Sequence, residues 1–149
     1  MSDLQLVNDR LNALIGNLSP SSRKAMARNI AKKLRASQQQ NIKRQQAPDG
    51  TPFKPRKAQP IRSKKGRVKR EMFAKLRTAK YMKAQATSNE AVIEFTGRVQ
   101  RMVWVHHYGL LDSPTLNSKK IRYPQRPLIG LNLEITKEIH KIIIEGLNK

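Results

Sequence analysis

Apolar residues recur at helical spacing near the N-terminus of the chain. Leu4, Val7, Leu11, Leu14 and Leu18 are separated by alternating intervals of three and four residues, which places them on one stripe of a helix. The pattern therefore predicts an amphipathic first helix.

A second helix is predicted from Pro20 to about Gln45. Ser19 and Pro20 form a typical helix start, because a capping hydroxyl precedes a proline in the first turn. The apolar stripe of this helix is narrow, and most of its other positions are basic: Arg23, Lys24, Arg28, Lys32, Lys33 and Arg35. We expect one face to pack and the others to remain in water.

Residues 47–70 carry no pattern of a regular element. Proline and glycine recur through them and large apolar residues are few, so neither helix nor strand can persist. Their basic residues are Lys54, Arg56, Lys57, Arg62, Lys64, Lys65, Arg67, Lys69 and Arg70. Because like charges repel, we predict an extended basic arm, either a solvated linker or a surface for anionic partners.

A short helix and a hairpin are predicted after the arm. Met72, Phe73 and Leu76 have helical spacing. Two alternating segments, Tyr81–Ala86 and Ala91–Phe95, flank the turn candidate Ser88-Asn89 and favour an antiparallel pair.

The segment around residues 99–106 is spaced for a helix, although Val103-Trp104-Val105 would suit a strand as well. We favour the helix and expect Trp104 and Tyr108 in the core rather than at an interface. Gly109 should end the element with a positive φ, and residues 111–120 should form a loop.

The last helix should hold Pro127 in its first turn. Its predicted buried residues are Leu131, Ile135, Ile139, Ile142 and Ile143. The fold class is then α+β, with two N-terminal helices, a long basic arm, a small antiparallel sheet and a C-terminal helix.

Composition narrows the class of partner. The 149 residues fit one domain, 1–149, with the arm at 47–70 as an insert. Lys and Arg number 31 against 10 for Asp and Glu, a net charge of +21, so the partners should be anionic. No apolar run is long enough to cross a membrane and no signal peptide is evident, which favours a soluble intracellular protein without a membrane partner.

The residue inventory disfavours catalysis. Carboxylates are scattered singly, no glycine-rich phosphate loop follows a strand, and no nucleophile has a base beside it. His106 and His107 are adjacent, so their side chains diverge, and no carboxylate or cysteine stands at ligand spacing. We predict no enzymatic activity, catalytic residue, cofactor, metal or small-molecule substrate, and a structural role for both histidines.

Five short motifs in a fixed order carry a family resemblance. They are Ala47-Pro48-Asp49-Gly50-Thr51-Pro52, Gly66-Arg67-Val68-Lys69-Arg70, Met72-Phe73-Ala74-Lys75-Leu76, Val105-His106-His107-Tyr108-Gly109 and Tyr123-Pro124-Gln125-Arg126-Pro127-Leu128. With them the chain resembles, over nearly its whole length, the tail-completion proteins of the gpS type from contractile-tailed temperate coliphages, the phage virion morphogenesis family. The resemblance implies structural roles for Pro48, Asp49, Gly50, His106, His107, Tyr108, Gly109, Arg126 and Pro127.

The resemblance also implies a function. The chain would be a structural subunit of the neck at the head-proximal end of the tail, with a fold similar to head-to-tail joining proteins. It would form a sixfold ring, contact the tail terminator and connector or head-completion proteins, and reside in the virion after assembly in the host cytoplasm. The basic arm would reach protein neighbours or DNA in the channel lumen. The alternative is a protein that binds nucleic acid without sequence preference.

Overall fold

The computed structural model describes residues 3–56 and 71–148 and confirms an α+β fold. The helices are α1 (Asp3–Gly16), α2 (Pro20–Lys43), α3 (Gly97–Tyr108) and α4 (Leu133–Leu147). The strands are β1 (Met82–Ala86), β2 (Ala91–Phe95), β3 (Leu111–Asp112) and β4 (Ile121–Arg122). Both N-terminal helices, the hairpin strands and the helical choice for α3 are therefore confirmed. Among the described helices, none has the length and apolar character that a membrane crossing requires.

The chain divides into two compact units. Unit 1 comprises Met1–Arg35, Ala84–Glu94 and Leu133–Lys149, and unit 2 comprises Ala36–Lys83 and Phe95–Asn132. The predictions of one domain and of a basic arm within it stay predictions.

Unit 1 is built on the first part of α2 and on α4. Ser19 caps α2, since its hydroxyl accepts a hydrogen bond from the Ser22 N–H at 3.2 Å. Met26 packs so closely against Gly146 that a Cβ there would lie 2.6 Å from the Met26 Cε. A larger residue at position 146 would therefore force the Met26 side chain to move.

The hairpin of β1 and β2 is antiparallel, as predicted. The Thr87 N–H donates to the Glu90 carbonyl at 2.8 Å near the turn, and the Thr96 N–H donates to the Tyr81 carbonyl at 2.9 Å at the open end. From the first bonded pair to the second, one strand moves back along the sequence by as many residues as the other moves forward. Both bonds therefore belong to one antiparallel register.

Unit 2 has a core drawn from several elements, including Ile42, Phe53, Leu76, Val103 and Leu128. Val99 and Val103 stand four residues apart on one stripe of α3, and Val105, which is also buried, lies on another side of the helix. The helix ends as predicted at Gly109, which has φ 67° and donates its N–H to the Val105 carbonyl.

The short helix predicted at 72–76 is wrong. These residues form successive turns, and Phe73 has a φ of 62°, which a right-handed helix cannot contain. The side chain of Gln45 also bonds both backbone groups of Met72, so these polar groups are satisfied outside a helix.

The structure corrects two predictions for the residues that follow α3 in the sequence. Residues 111–120 are not wholly loop, because Leu111 pairs with Arg122 and Asp112 with Ile121 in a short ladder. The last helix begins at Leu133, well past Pro127.

The segment before α4 stays extended because long-range bonds hold it. The Arg126 N–H donates to the His106 carbonyl at 2.7 Å, and the Leu128 N–H donates to His107 Nδ1 at 3.0 Å. Leu131 then lies outside the helix and is 66% exposed, whereas Ile135 is buried as predicted.

Candidate assembly surfaces

The base of the basic arm is held by Arg126. Its side chain is only 5% exposed, and its Nε and Nη2 donate to the carbonyls of Lys54 and Pro55 at 2.7 and 3.0 Å. Burial and, to a smaller extent, the nearby Arg56 lower the pKa of this guanidinium. Arg126 therefore bonds backbone carbonyls of the segment that enters the predicted arm.

Gln45 fixes the backbone of Met72, which follows the predicted arm in the sequence. Its Nε2 donates to the Met72 carbonyl at 2.8 Å, and its Oε1 accepts from the Met72 N–H at 3.1 Å. Both chain segments that flank residues 57–70 are therefore fixed in unit 2 by side chains distant in sequence. No local sequence pattern identifies Gln45, because its partner Met72 lies far along the chain.

A turn built by Pro48, Asp49 and Gly50 precedes the arm. Its backbone N–H and carbonyl groups are paired between Ala47 and Thr51, and Gly50 has a φ of 90°, which favours glycine. The Asp49 carboxylate accepts the Thr51 N–H at 2.9 Å, and this bond lowers the pKa of Asp49. Residues 47–53 therefore form a folded turn at the N-terminal end of the predicted arm.

The two adjacent histidines serve the packing of unit 2. His107 Nδ1 accepts the Leu128 N–H, and the His106 ring stacks edge-on against Phe73 and Tyr123 with centroids 4.9 Å apart in both pairs. Burial lowers the pKa of both histidines, and Arg126 lowers that of His106 further. Among residues 3–56 and 71–148, no group of three or more His, Cys, Asp or Glu could hold a metal ion.

Gly109 permits a close approach in the same region. A Cβ at this position would lie 3.1 Å from the backbone nitrogen of Gln125, and the φ of 67° disfavours a side chain as well. The end of α3 can therefore lie against the segment that carries Arg126.

An exposed aromatic pair lies on the outer face of α3, contrary to the predicted core position. Trp104 is 59% exposed and Tyr108 is 51% exposed, and their ring centroids are 4.9 Å apart. The buried stripe of Val99 and Val103 places the aromatic pair on a different side of the helix. Arg101 lies three residues before Trp104, on the same face of α3, and its charged, exposed side chain indicates that this face is in contact with solvent.

Comparison with known protein families covers almost the whole chain, including every residue described above. A family model described as the phage virion morphogenesis family matches residues 2–148. The chain belongs to the phage virion morphogenesis family. It is 43% identical over 150 residues to tail completion protein S of Escherichia phage P2, and the match covers 100% of both chains. No solved structure matches the chain.

Three of the motifs, at 47–52, 105–109 and 123–128, are joined by hydrogen bonds to other segments of unit 2 in this virion morphogenesis family member. Arg126 meets the base of the predicted arm, His107 meets Leu128, and the Pro48 carbonyl accepts a hydrogen bond from Asn132 at 2.8 Å. Lys54 and Arg56 are exposed at the start of the arm. The remaining predicted arm residues lie outside the described ranges: Lys57, Arg62, Lys64, Lys65, Arg67, Lys69 and Arg70.

Proposed function

We propose that this chain is a structural subunit that completes a phage tail and joins it to the DNA-filled head. The observation that carries the proposal is the 43% identity, over the full length of both chains, to a protein named tail completion protein S. The family description, virion morphogenesis, concerns assembly. We accordingly propose no enzymatic activity.

The proposed location is the neck, at the head-proximal end of the tail, in the virion after assembly in the host cytoplasm. Copies of the chain would form a ring, sixfold as the resemblance implies, between the tail terminator and the connector or head-completion proteins. The aromatic pair of Trp104 and Tyr108 supports an interface, since large exposed aromatic side chains are typical interface anchors.

The basic arm is proposed to reach onto neighbouring subunits or onto DNA in the channel lumen. Support comes from the geometry of its base, where Arg126 holds Lys54 and Pro55 and Gln45 holds Met72. A fixed base directs the cations of the arm to one region of the assembly. Ion pairs and phosphate contacts made there would weaken with salt.

Binding of nucleic acid without sequence preference is the second candidate function. The net charge of +21 favours it. It predicts tight binding to any DNA duplex, with an affinity that falls steeply as salt is raised. Arm variants that lose duplex binding but still join heads to tails would separate the two functions.

The proposed function is tested by inactivating the gene in the phage that carries it. We expect electron microscopy of the lysate to show DNA-filled heads and unjoined tails as separate particles. Complementation with the intact gene should restore joined particles. Normal virions from the inactivated gene would overturn the proposal.

Complementation with surface variants tests the parts of the proposed interface. Trp104→Ala with Tyr108→Ala should reduce joining, because the pair would lose its contact with a neighbour. Leu116→Ala is the matched control, since Leu116 is 97% exposed. A third variant replaces Lys64, Lys65, Arg67, Lys69 and Arg70 with Gln, and unchanged joining in it would remove the arm from the mechanism.

A further inference from the structure

A row of cations on α2 lines a groove in unit 1. Lys24, Arg28, Lys32 and Arg35 are separated by intervals of four, four and three residues, so they share one face of the helix. The groove has a volume of about 510 Å³, and its other wall is the segment 84–86 of β1.

The charge of this groove is uncompensated within the described residues. Its lining contains four cations and no carboxylate. Over residues 3–56 and 71–148 the ion pair of the structure joins Arg101 to Asp112, neither of which lines the groove. A groove lined by charges of one sign concentrates the potential, so it attracts an anionic ligand.

The opposite wall is the open edge of a strand. Tyr81 and Thr87 bond to the partner strand, so in the antiparallel alternation the residues with odd numbers face β2. The backbone N–H and carbonyl groups of Ala84 and Ala86 then point away from β2. Among the described residues β1 pairs with β2 alone, so this edge of the strand can accept another strand.

The cations of α2 and the side chains of a strand added to β1 would repeat at similar distances. Residues four apart on a helix are about 6 Å apart along its axis. Alternate side chains of an extended strand are about 6.6 Å apart on one face. A strand added to the β1 edge can therefore present a carboxylate at every second residue to successive cations of α2.

We propose that this groove binds an extended acidic segment of a partner protein, which adds to the edge of β1 and points alternate carboxylates at the cations of α2. The inference goes beyond the proposed function and does not rest on it. The described residues that line the groove include no aromatic ring on which the bases of a single nucleic-acid strand could stack. In a second copy of the chain no two Asp or Glu residues stand two positions apart, so it has no segment that presents alternate carboxylates.

The test uses the full chain and a fluorescent synthetic peptide of alternating glutamate and valine, with binding measured by fluorescence anisotropy. Arg28→Glu with Lys32→Glu should weaken binding by about tenfold or more, because two charge-assisted contacts become repulsive. Lys33→Glu with Lys43→Glu is the matched control, since it changes the net charge equally at exposed positions of α2 outside the groove. Circular dichroism should show the same helix content in both variants.

Three results would overturn the proposal. The first is equal weakening by both double variants, which would mean that only net charge matters. The second is undiminished binding of the same peptide with an N-methyl group on every backbone amide, which would exclude addition to the strand edge. The third is a DNA duplex that depends on Arg28 and Lys32 more strongly than the peptide does, which would assign the groove to nucleic acid.

Discussion

His107 illustrates how a single side chain connects distant parts of unit 2. Its Nδ1 accepts the backbone N–H of Leu128, and this bond requires the unprotonated nitrogen. Sequence reasoning predicted a structural role, because no carboxylate or cysteine stands at ligand spacing from the two histidines. It could not identify Leu128 as the partner, which depends on the path of the chain after β4.

The stability of the protein should fall on acidification because of His107. Burial lowers its pKa in the folded chain, so the unfolded chain binds a proton at higher pH than the folded one. This contribution is complete above the ordinary histidine pKa of about 6.5 and is lost as the pH falls towards the lowered value. Urea unfolding from about pH 7 to about pH 5 should therefore show a decreasing free energy of unfolding.

A variant at position 107 separates the contribution of His107 to the pH dependence of stability from the contributions of other titrating groups. Asparagine at position 107 places an acceptor oxygen near the position of Nδ1 but does not titrate, so His107→Asn should make the pH dependence shallower. His106 should leave part of the dependence in place, since burial lowers its pKa too. The control is His140→Asn on the exposed surface of α4. Equal slopes for the two variants would show that His107 does not carry the effect.

At the scale of elements, local sequence patterns predicted the helices and strands that depend mainly on interactions between neighbouring residues. The spacing of Leu11 and Leu14, the cap at Ser19 and the alternation through β1 are each read within a few residues, and those elements formed as expected. The turns after Met72 and the late start of α4 were missed. Both depend on bonds from residues far along the chain, Gln45 in the first case and His107 in the second.

The base of the predicted arm should be sensitive to the shape of residue 126 as well as its charge. Lysine keeps the positive charge but lacks the fork of donors that reaches the carbonyls of Lys54 and Pro55. Arg126→Lys should therefore lower the free energy of unfolding by about 2 kcal/mol, measured by urea denaturation. Arg98→Lys, at an exposed position of α3, should change it by less than about 0.5 kcal/mol. A similar small effect in both variants would show that the bonds of Arg126 contribute little.

At the scale of the molecule, composition predicts an anionic partner class but cannot locate the surfaces that such a partner would contact, and this class stays a prediction. The ordered motifs predicted the family, which the comparison confirmed. They did not indicate that Trp104 and Tyr108 are exposed, because an aromatic residue at helical spacing suits a core and an interface equally. The cations of α2 were predicted to face water, and the groove that they line became evident only with the path of β1.

The net charge of +21 should make the stability of the whole chain depend on salt in an unusual direction. Raising sodium chloride from about 0.01 M to about 0.15 M shortens the screening length from about 30 Å to about 8 Å. This relieves repulsion among many cations, while the ion pair of the described residues, Arg101 with Asp112, has an exposed arginine and loses little. The free energy of unfolding should therefore rise, by on the order of 1 kcal/mol. Sucrose at matched osmolality separates screening from solute exclusion, and an unchanged or lower stability in salt would contradict self-repulsion as a significant cost of this fold.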